Sequence, residues 1–335
     1  MRNFISALLV AAVCLAAAYY WSGSTGLLMA TILGIMEVSL SFDNAVVNAT
    51  VLKKMSPRWQ QRFLTWGMVI AVFGVRFLFP VLIVALITGH SLQDVTLMAL
   101  HQPEEYARHI DSAHTQISAF GGMYLLLVFL SFFVQEHKSL HWLVWLEKRL
   151  SSMGKLESIE VVLALSALLA TLGFLPEAER LPMLIAGIAG VILFVLVKSV
   201  ATLFEGSEGG PQLQRAGLVS FLYLELLDLS FSFDGVIGAF AITRDVVIIL
   251  LGLTIGAMFV RSLTVFMVRK GTLDEYLYLE HGAHYAIGAL AVLMLVDISV
   301  HVPEIATGLT GLGLILLSLW SSVRARARQA AGGAD

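Results

Sequence analysis

Two short stretches of this chain repeat one another inside apolar surroundings. Glu37-Val-Ser-Leu-Ser-Phe-Asp43-Asn44 and Asp228-Leu-Ser-Phe-Ser-Phe-Asp234-Gly235 each carry two acids six residues apart, with Ser-x-Ser-Phe between them. Their second acids stand 191 residues apart, which marks a duplicated unit. Carboxylates in hydrocarbon-length apolar segments are costly and functional by default. A matched set of four points to a site for a cation and pulls both motif segments into the interior of a bundle.

The 335 residues are 58% hydrophobic and 13% charged, whereas a soluble domain carries roughly a quarter charged residues. The chain therefore reads as an all-α, polytopic membrane bundle. Its formal net charge of −3 comes with no basic patch of the nucleic-acid kind. One cysteine, Cys14, excludes internal disulfides and thiolate metal clusters. No nucleophile elbow, phosphate loop or zinc-protease helix is present, and the acids lack the Gly-x-Gly-Asp setting of an intramembrane aspartyl protease. Neither an enzyme nor a resident cofactor is expected.

A spanning helix needs about 20 mostly apolar residues. Ten segments qualify: 3–20, 26–50, 64–88, 119–135, 159–175, 182–204, 216–242, 246–268, 283–300 and 305–322. The first also reads as a cleaved signal peptide, through Leu15-Ala16-Ala17-Ala18, but Tyr19, Tyr20 and Trp21 favour an interfacial belt. With the amino terminus inside, sixteen of the 21 basic residues fall in or beside cytoplasmic segments, and only Arg108, Arg180 and Arg244 fall outside. Both termini are thus expected in the cytoplasm. The stretches 89–118 (outside) and 136–158 (inside) read as loops, and Gly206–Pro211 as a turn near the half-way point. The expected organisation is a first repeat over 1–175, a second over 176–323, and a tail over 324–335.

Five crossings separate the two motifs, so their helices run in opposite directions, the signature of inverted-topology repeats. A second landmark agrees: Trp66-Gly67 precedes Arg76 at the interval by which Leu251-Gly252 precedes Arg261. On a continuous helix Glu37, Ser41, Asn44 and Asn48 share one face, and Ser39 and Asp43 another. Asp228 with Ser232, and Ser230 with Asp234, repeat the arrangement. Each acid at a helix centre costs roughly 2.5–3.5 kcal/mol on insertion scales. Two of them consume most of what one span gains, so they need partners, water or a bound cation. Ion pairs with Arg76 and Arg261 are the bland alternative.

All the candidate ligands are hard oxygens: Asp43, Asp234, Glu37 and Asp228, the Asn44 amide, and Ser39, Ser41, Ser230 and Ser232 in support. Such a set suits Mg²⁺, Ca²⁺ or Mn²⁺ rather than Zn²⁺ or Cu⁺. Clustered acids also take up protons when no metal is present, which supplies a route to cation–proton exchange. Moving a divalent ion outward against 100 mV costs about 4.6 kcal/mol, so an exporter needs a counter-moving proton or a steep gradient. Nine histidines add little. His90, His101, His109 and His114 read as parts of a solvated loop. His281 and His284 share a helix face beside Glu280 and read as an interhelical hydrogen-bonding pair or, alternatively, as a site for ion access or proton relay; Asp297 is another relay candidate.

The stretch Glu37 to Ala45 resembles the acidic signature of TerC-type integral membrane proteins, associated with tellurium resistance and manganese homeostasis, and Asp228 to Gly235 is similar to that family's second signature. The resemblance covers about residues 25–320. It implies export of Mn²⁺ across a bacterial inner membrane within the lysine-exporter-like superfamily, with Asp43 and Asp234 as central acids and Glu37, Asn44 and Asp228 beside them. Expected partners are the lipid bilayer, a divalent cation and protons. Two other readings stand beside this one: a non-transporting scaffold that docks stress proteins on 136–158, and an exporter of a small organic cation.

Overall fold

The computed structural model describes residues 4–134, 140–154, 156, 158–204, 210–271 and 276–332, apart from the side chains of 87, 201–204, 210–216, 233, 234, 237, 241, 304 and 329–332. Thirteen α-helices and no strand occur among the described residues. Seven helical stretches are long and apolar enough to cross a membrane, so the chain is a helical membrane bundle. In lipid this is the expected outcome, because every backbone N–H and C=O must find its partner within the protein.

Ten spans were expected and seven qualify among the described residues: the first two segments run together in one stretch up to Leu40, 159–175 forms a shorter apolar helix, and 216–242 lies on a helix that is not among the seven. Helix α1 (Ile5–Leu40) is two helices joined at Ser22 and Gly23, where Gly23 takes φ +64°. Below the bend, Ala11 and Cys14 pack on Ile255. At the bend, Trp21 Nε1 donates to Asp245 Oδ2 at 3.0 Å. Asp245 also caps helix α11 by accepting from the Val247 and Ile248 amides. Helix α2 (Phe42–Leu52) continues α1 after a break at Ser41. The third span is α3 (Pro57–Val69), a π-helical stretch over Ile70–Leu78, and α4 (Phe79–Thr88). Pro80 follows that stretch; having no N–H, it leaves a carbonyl of the preceding turn without an α-helical donor. The Phe79 amide bonds instead to Gly74, five residues back.

The expected outer loop 89–118 is not a loop. It forms α5 (Leu92–His101) and the first turns of the long α6 (Pro103–Phe133). Ser91 caps α5 by accepting from the Asp94 amide, and Pro103 with Glu104 and Glu105 makes a favourable first turn for α6. On the other face, α7 (Val144–Met153) lies within the expected loop 136–158, whose residues 136–139, 155 and 157 are outside the description. Of the expected turn Gly206–Pro211, residues 206–209 are also outside it. The remaining helices are α8 (Ile159–Thr171), α9 (Glu177–Phe204), α10 (Gly210–Ile242), α11 (Val246–Lys270), α12 (Leu279–Asp297) and α13 (Glu304–Gly332).

The largest apolar cluster joins Tyr124 and Leu127 of α6, Leu168 of α8, Phe194 of α9, Leu227 and Phe231 of α10, and Ile287 of α12. Helix α2 is buried along almost its whole length, whereas α1 is mostly exposed and buries its motif residue Glu37 near its end. α1 packs mainly along α11, while α10 packs against the π stretch, α6 and α9. Each motif helix thus leans on the arginine-bearing helix of the other half.

Candidate cation site

The first motif is built on a helix break. At Ser41 the backbone leaves helical geometry (φ −98°, ψ 20°), and its hydroxyl donates to Glu37 Oε1 at 3.2 Å. Helix α2 restarts at Phe42, placing Asp43 in its first turn, where the Asn44 amide donates to Asp43 Oδ1 at 2.9 Å. A carboxylate at that end complements the helix dipole. The break also ends the uniform helical faces expected from sequence. Ser39 points to the exposed surface and donates to the Ile35 carbonyl, while Ser41 and Asp43 both turn inward.

Glu37, Leu40, Ser41, Asp43 and Asn44 line one wall of a cavity of about 40 Å³, enough for a few atoms. Phe231 and Gly235 of α10, Leu290 of α12, and Thr307 and Gly308 of α13 complete it. Two glycines bring backbone up to carboxylates. A Cβ on Gly311 of α13 would sit 2.6 Å from Asp43 Oδ2, and one on Gly235 would sit 2.7 Å from Glu37 Oε2. Asn44 donates through Nδ2 to Asp228 Oδ1 at 3.0 Å. Its Oδ1 is buried and has no hydrogen-bond partner among the described residues; the same holds for Asn48 Oδ1 and Ser232 Oγ.

Behind the cavity runs a buried chain of charges. Arg76, in the π stretch, pairs with Glu37 Oε1, lies 4.0 Å from Asp228 Oδ2, and donates to the Ala71 carbonyl at 3.0 Å. Arg261 reaches Asp228 Oδ2 at 3.5 Å and both oxygens of Glu225 at 3.3 and 3.2 Å. It also donates to the Phe63 carbonyl at 2.8 Å and lies over the Phe63 ring. The ion pairs weighed as the bland alternative therefore exist for Glu37 and Asp228. Asp43 has no guanidinium partner among the described residues. Glu225, absent from the sequence reading, is a full member of the chain; its position three residues before Asp228, on the same helix face, is the signal that could have found it.

The second motif lies on an unbroken helix. Asp228 and Ser230 are buried, with Ser230 donating to the Leu226 carbonyl at 3.0 Å. Asp234 belongs to α10, but its side chain lies outside the described residues. The two motifs touch reciprocally: the residue after the second acid of one copy meets the first acid of the other, Asn44 on Asp228 and Gly235 against Glu37. Thr307 is a further wall residue that sequence reasoning missed, since Thr-Gly-Leu-Thr-Gly reads as helix packing.

The histidine pair does not join this site. His281 Nε2 lies 3.0 Å from the Leu140 carbonyl and 3.5 Å from Glu147, and His284 stacks on Phe132. Asp297 pairs with His114 at 2.8 Å at the opposite end of α12. Among the described residues, no three His, Cys, Asp or Glu side chains converge as a metal cluster would. The cavity offers two carboxylates with amide and hydroxyl oxygens instead.

The family model described as "Protein of unknown function (DUF475)" matches residues 42–329. No curated protein and no solved structure matches the chain.

Proposed function

Because the chain belongs to the DUF475 family, whose function is unknown, we propose its role from the cavity: a secondary transporter that exports a divalent cation, Mn²⁺ first, in exchange for protons. Asp43 and Glu37 bind the ion, with Asn44 Oδ1, Ser41 and Thr307 as neutral oxygens and Asp234 as the fourth acid of the motifs. The proposed setting is a bacterial inner membrane with both termini in the cytoplasm.

The observation that carries this reading is the orphaned Asn44 Oδ1. A buried acceptor without a donor costs about 1–3 kcal/mol; Asn44 Oδ1 has none among the described residues, and Asn44 lines the same cavity as Glu37 and Asp43. A hard cation would satisfy all three at once. Charge balance supports the same conclusion. Among the described residues, Glu37, Asp43, Glu225 and Asp228 are buried against two guanidiniums, an excess of negative charge that a cation or protons would offset. The broken helix at Ser41 is the device by which transporters expose backbone and side-chain oxygens inside a membrane. The resemblance of both motifs to TerC-type proteins favours manganese among divalent ions.

The test is uptake by proteoliposomes across a panel of Mn²⁺, Mg²⁺, Ca²⁺ and Zn²⁺, with lumenal pH recorded alongside. Manganese flux with opposing proton movement is expected in wild type and is expected to disappear in Asp43→Asn. Flux that survives Asp43→Asn overturns the assignment of the site.

A further inference from the structure

We infer that Glu225, an acid outside both motifs, is a positioning residue for the cavity: through Arg261 and Asp228 it sets the orientation of the Asn44 amide. This rests on the transport reading and adds to it a residue that does not touch the ion. Glu225 is absent from the cavity wall, yet it shares a single nitrogen with the residue that holds that wall. Arg261 Nη2 lies 3.3 and 3.2 Å from the two Glu225 oxygens and 3.5 Å from Asp228 Oδ2. Asp228 Oδ1 in turn accepts from Asn44 Nδ2 at 3.0 Å, and Asn44 leaves its Oδ1 unpartnered.

Arg261 cannot follow its acids. Its Nη1 is fixed to the Phe63 carbonyl at 2.8 Å, and its guanidinium lies 4.2 Å from the Phe63 ring centre. The division of Nη2 between two acids therefore decides where Asp228 sits. While Glu225 takes the shorter share, Asp228 remains within reach of Asn44 and of Arg76 at 4.0 Å. Without the Glu225 charge, Nη2 belongs to Asp228 alone and draws it towards α11. Asn44 then loses the acceptor that fixes its amide, and the cavity loses an aligned oxygen.

Wild type, Glu225→Gln, Glu225→Asp, Asn44→Ala and the Glu225→Gln/Asn44→Ala double variant are compared in proteoliposomes over a range of Mn²⁺ concentrations. Glu225→Gln is expected to raise the KM for Mn²⁺ about tenfold, the scale of coupling within one hydrogen-bond network, with the maximal rate within about twofold of wild type. Glu225→Asp restores KM, and the double variant is no worse than Asn44→Ala alone. An unchanged KM in Glu225→Gln, or effects that add in the double variant, overturns the inference. Wild-type vesicles without manganese flux defeat the transport reading itself. In that event the same cycle, read as thermal unfolding midpoints, still decides the matter: non-additivity between positions 225 and 44 supports the network and additivity overturns it.

Discussion

The two halves of this bundle carry the same Ser-x-Ser-Phe-Asp core and fold it differently. In the first half the helix breaks at Ser41 and the arginine helix widens into a π stretch around Arg76. In the second half α10 runs unbroken from Gly210 to Ile242, and Arg261 sits in a regular helix. The difference divides the labour. The broken copy turns Glu37, Ser41, Asp43 and Asn44 into the cavity, while α10 contributes Phe231 and Gly235 to the wall among the described residues. The regular copy supplies the brace, in which Asp228 and Glu225 are held by arginine and hold Asn44 in return. Departure from regular helix in one copy provides the opening.

That division is most sharply broken by exchanging the acids. Asp43→Asn should reduce manganese flux to the vesicle background while leaving thermal unfolding near wild type, because no described cation partner is stranded. Asp228→Leu should instead cost about 1–3 kcal/mol of stability, because Asn44 loses a buried acceptor, and should raise the KM for manganese without abolishing flux. Equal behaviour of the two variants in both assays would abolish the distinction between a binding half and a bracing half.

A close second is the ion pair within the first half, between Arg76 and Glu37. Arg76→Met strands Glu37 and should cost about 3–5 kcal/mol, whereas Arg76→Met with Glu37→Met should recover most of it, since well-packed apolar replacements for a buried pair are often neutral. Unfolding in detergent reads both. A double variant as unstable as the single one would mean that Arg76 is held chiefly for Asp228 and the Ala71 carbonyl rather than for Glu37.

The helical membrane class and the burial of Glu37, Asp43 and Asp228 were legible because both follow from apolar length and the cost of buried charge, whereas the number of spans was not: ten were expected and seven qualify among the described residues. The breaks were not, because they depend on particular captures. At Ser41 the torsions leave helical values while its amide and hydroxyl both still reach Glu37, and the π turn combines Pro80 with an Arg76 side chain bonded to Ala71. Neither changes hydropathy. Helices α5 and α6 were legible in principle: Ser91 with Asp94, and Pro103 with Glu104 and Glu105, are start signals, but the histidines and acids around them read as solvated loop. Glu225 escaped because the eye follows the repeat and it lies outside it. Thr307 escaped because a threonine among glycines looks like packing.

Smaller effects should separate cavity shape from charge. Gly311→Ala places a methyl group against Asp43 and should raise the KM for manganese, with a stability loss of about 1–3 kcal/mol from overpacking. The charged set is untouched, so a collapse of maximal rate without a change in KM would place Gly311 in helix movement rather than in the binding wall.

The smallest expected effect is also the cleanest comparison of the halves, because Ser41 and Ser232 occupy the same motif position. Ser41 donates to Glu37 at a helix break, and Ser41→Ala should cost about 1.5–3 kcal/mol, the range for a hydrogen bond to a charged group. Ser232 is buried and its hydroxyl has no partner among the described residues, since Asp228, four residues back, is drawn to Arg261 and Asn44. Removing a hydroxyl that gains nothing should be neutral or stabilising by up to about 1 kcal/mol. Paired unfolding measurements on the two alanine variants decide it. Should Ser232→Ala cost as much as Ser41→Ala, the two copies bind their serines alike, and the asymmetry assigned to the broken helix would have to come from Asp43 alone.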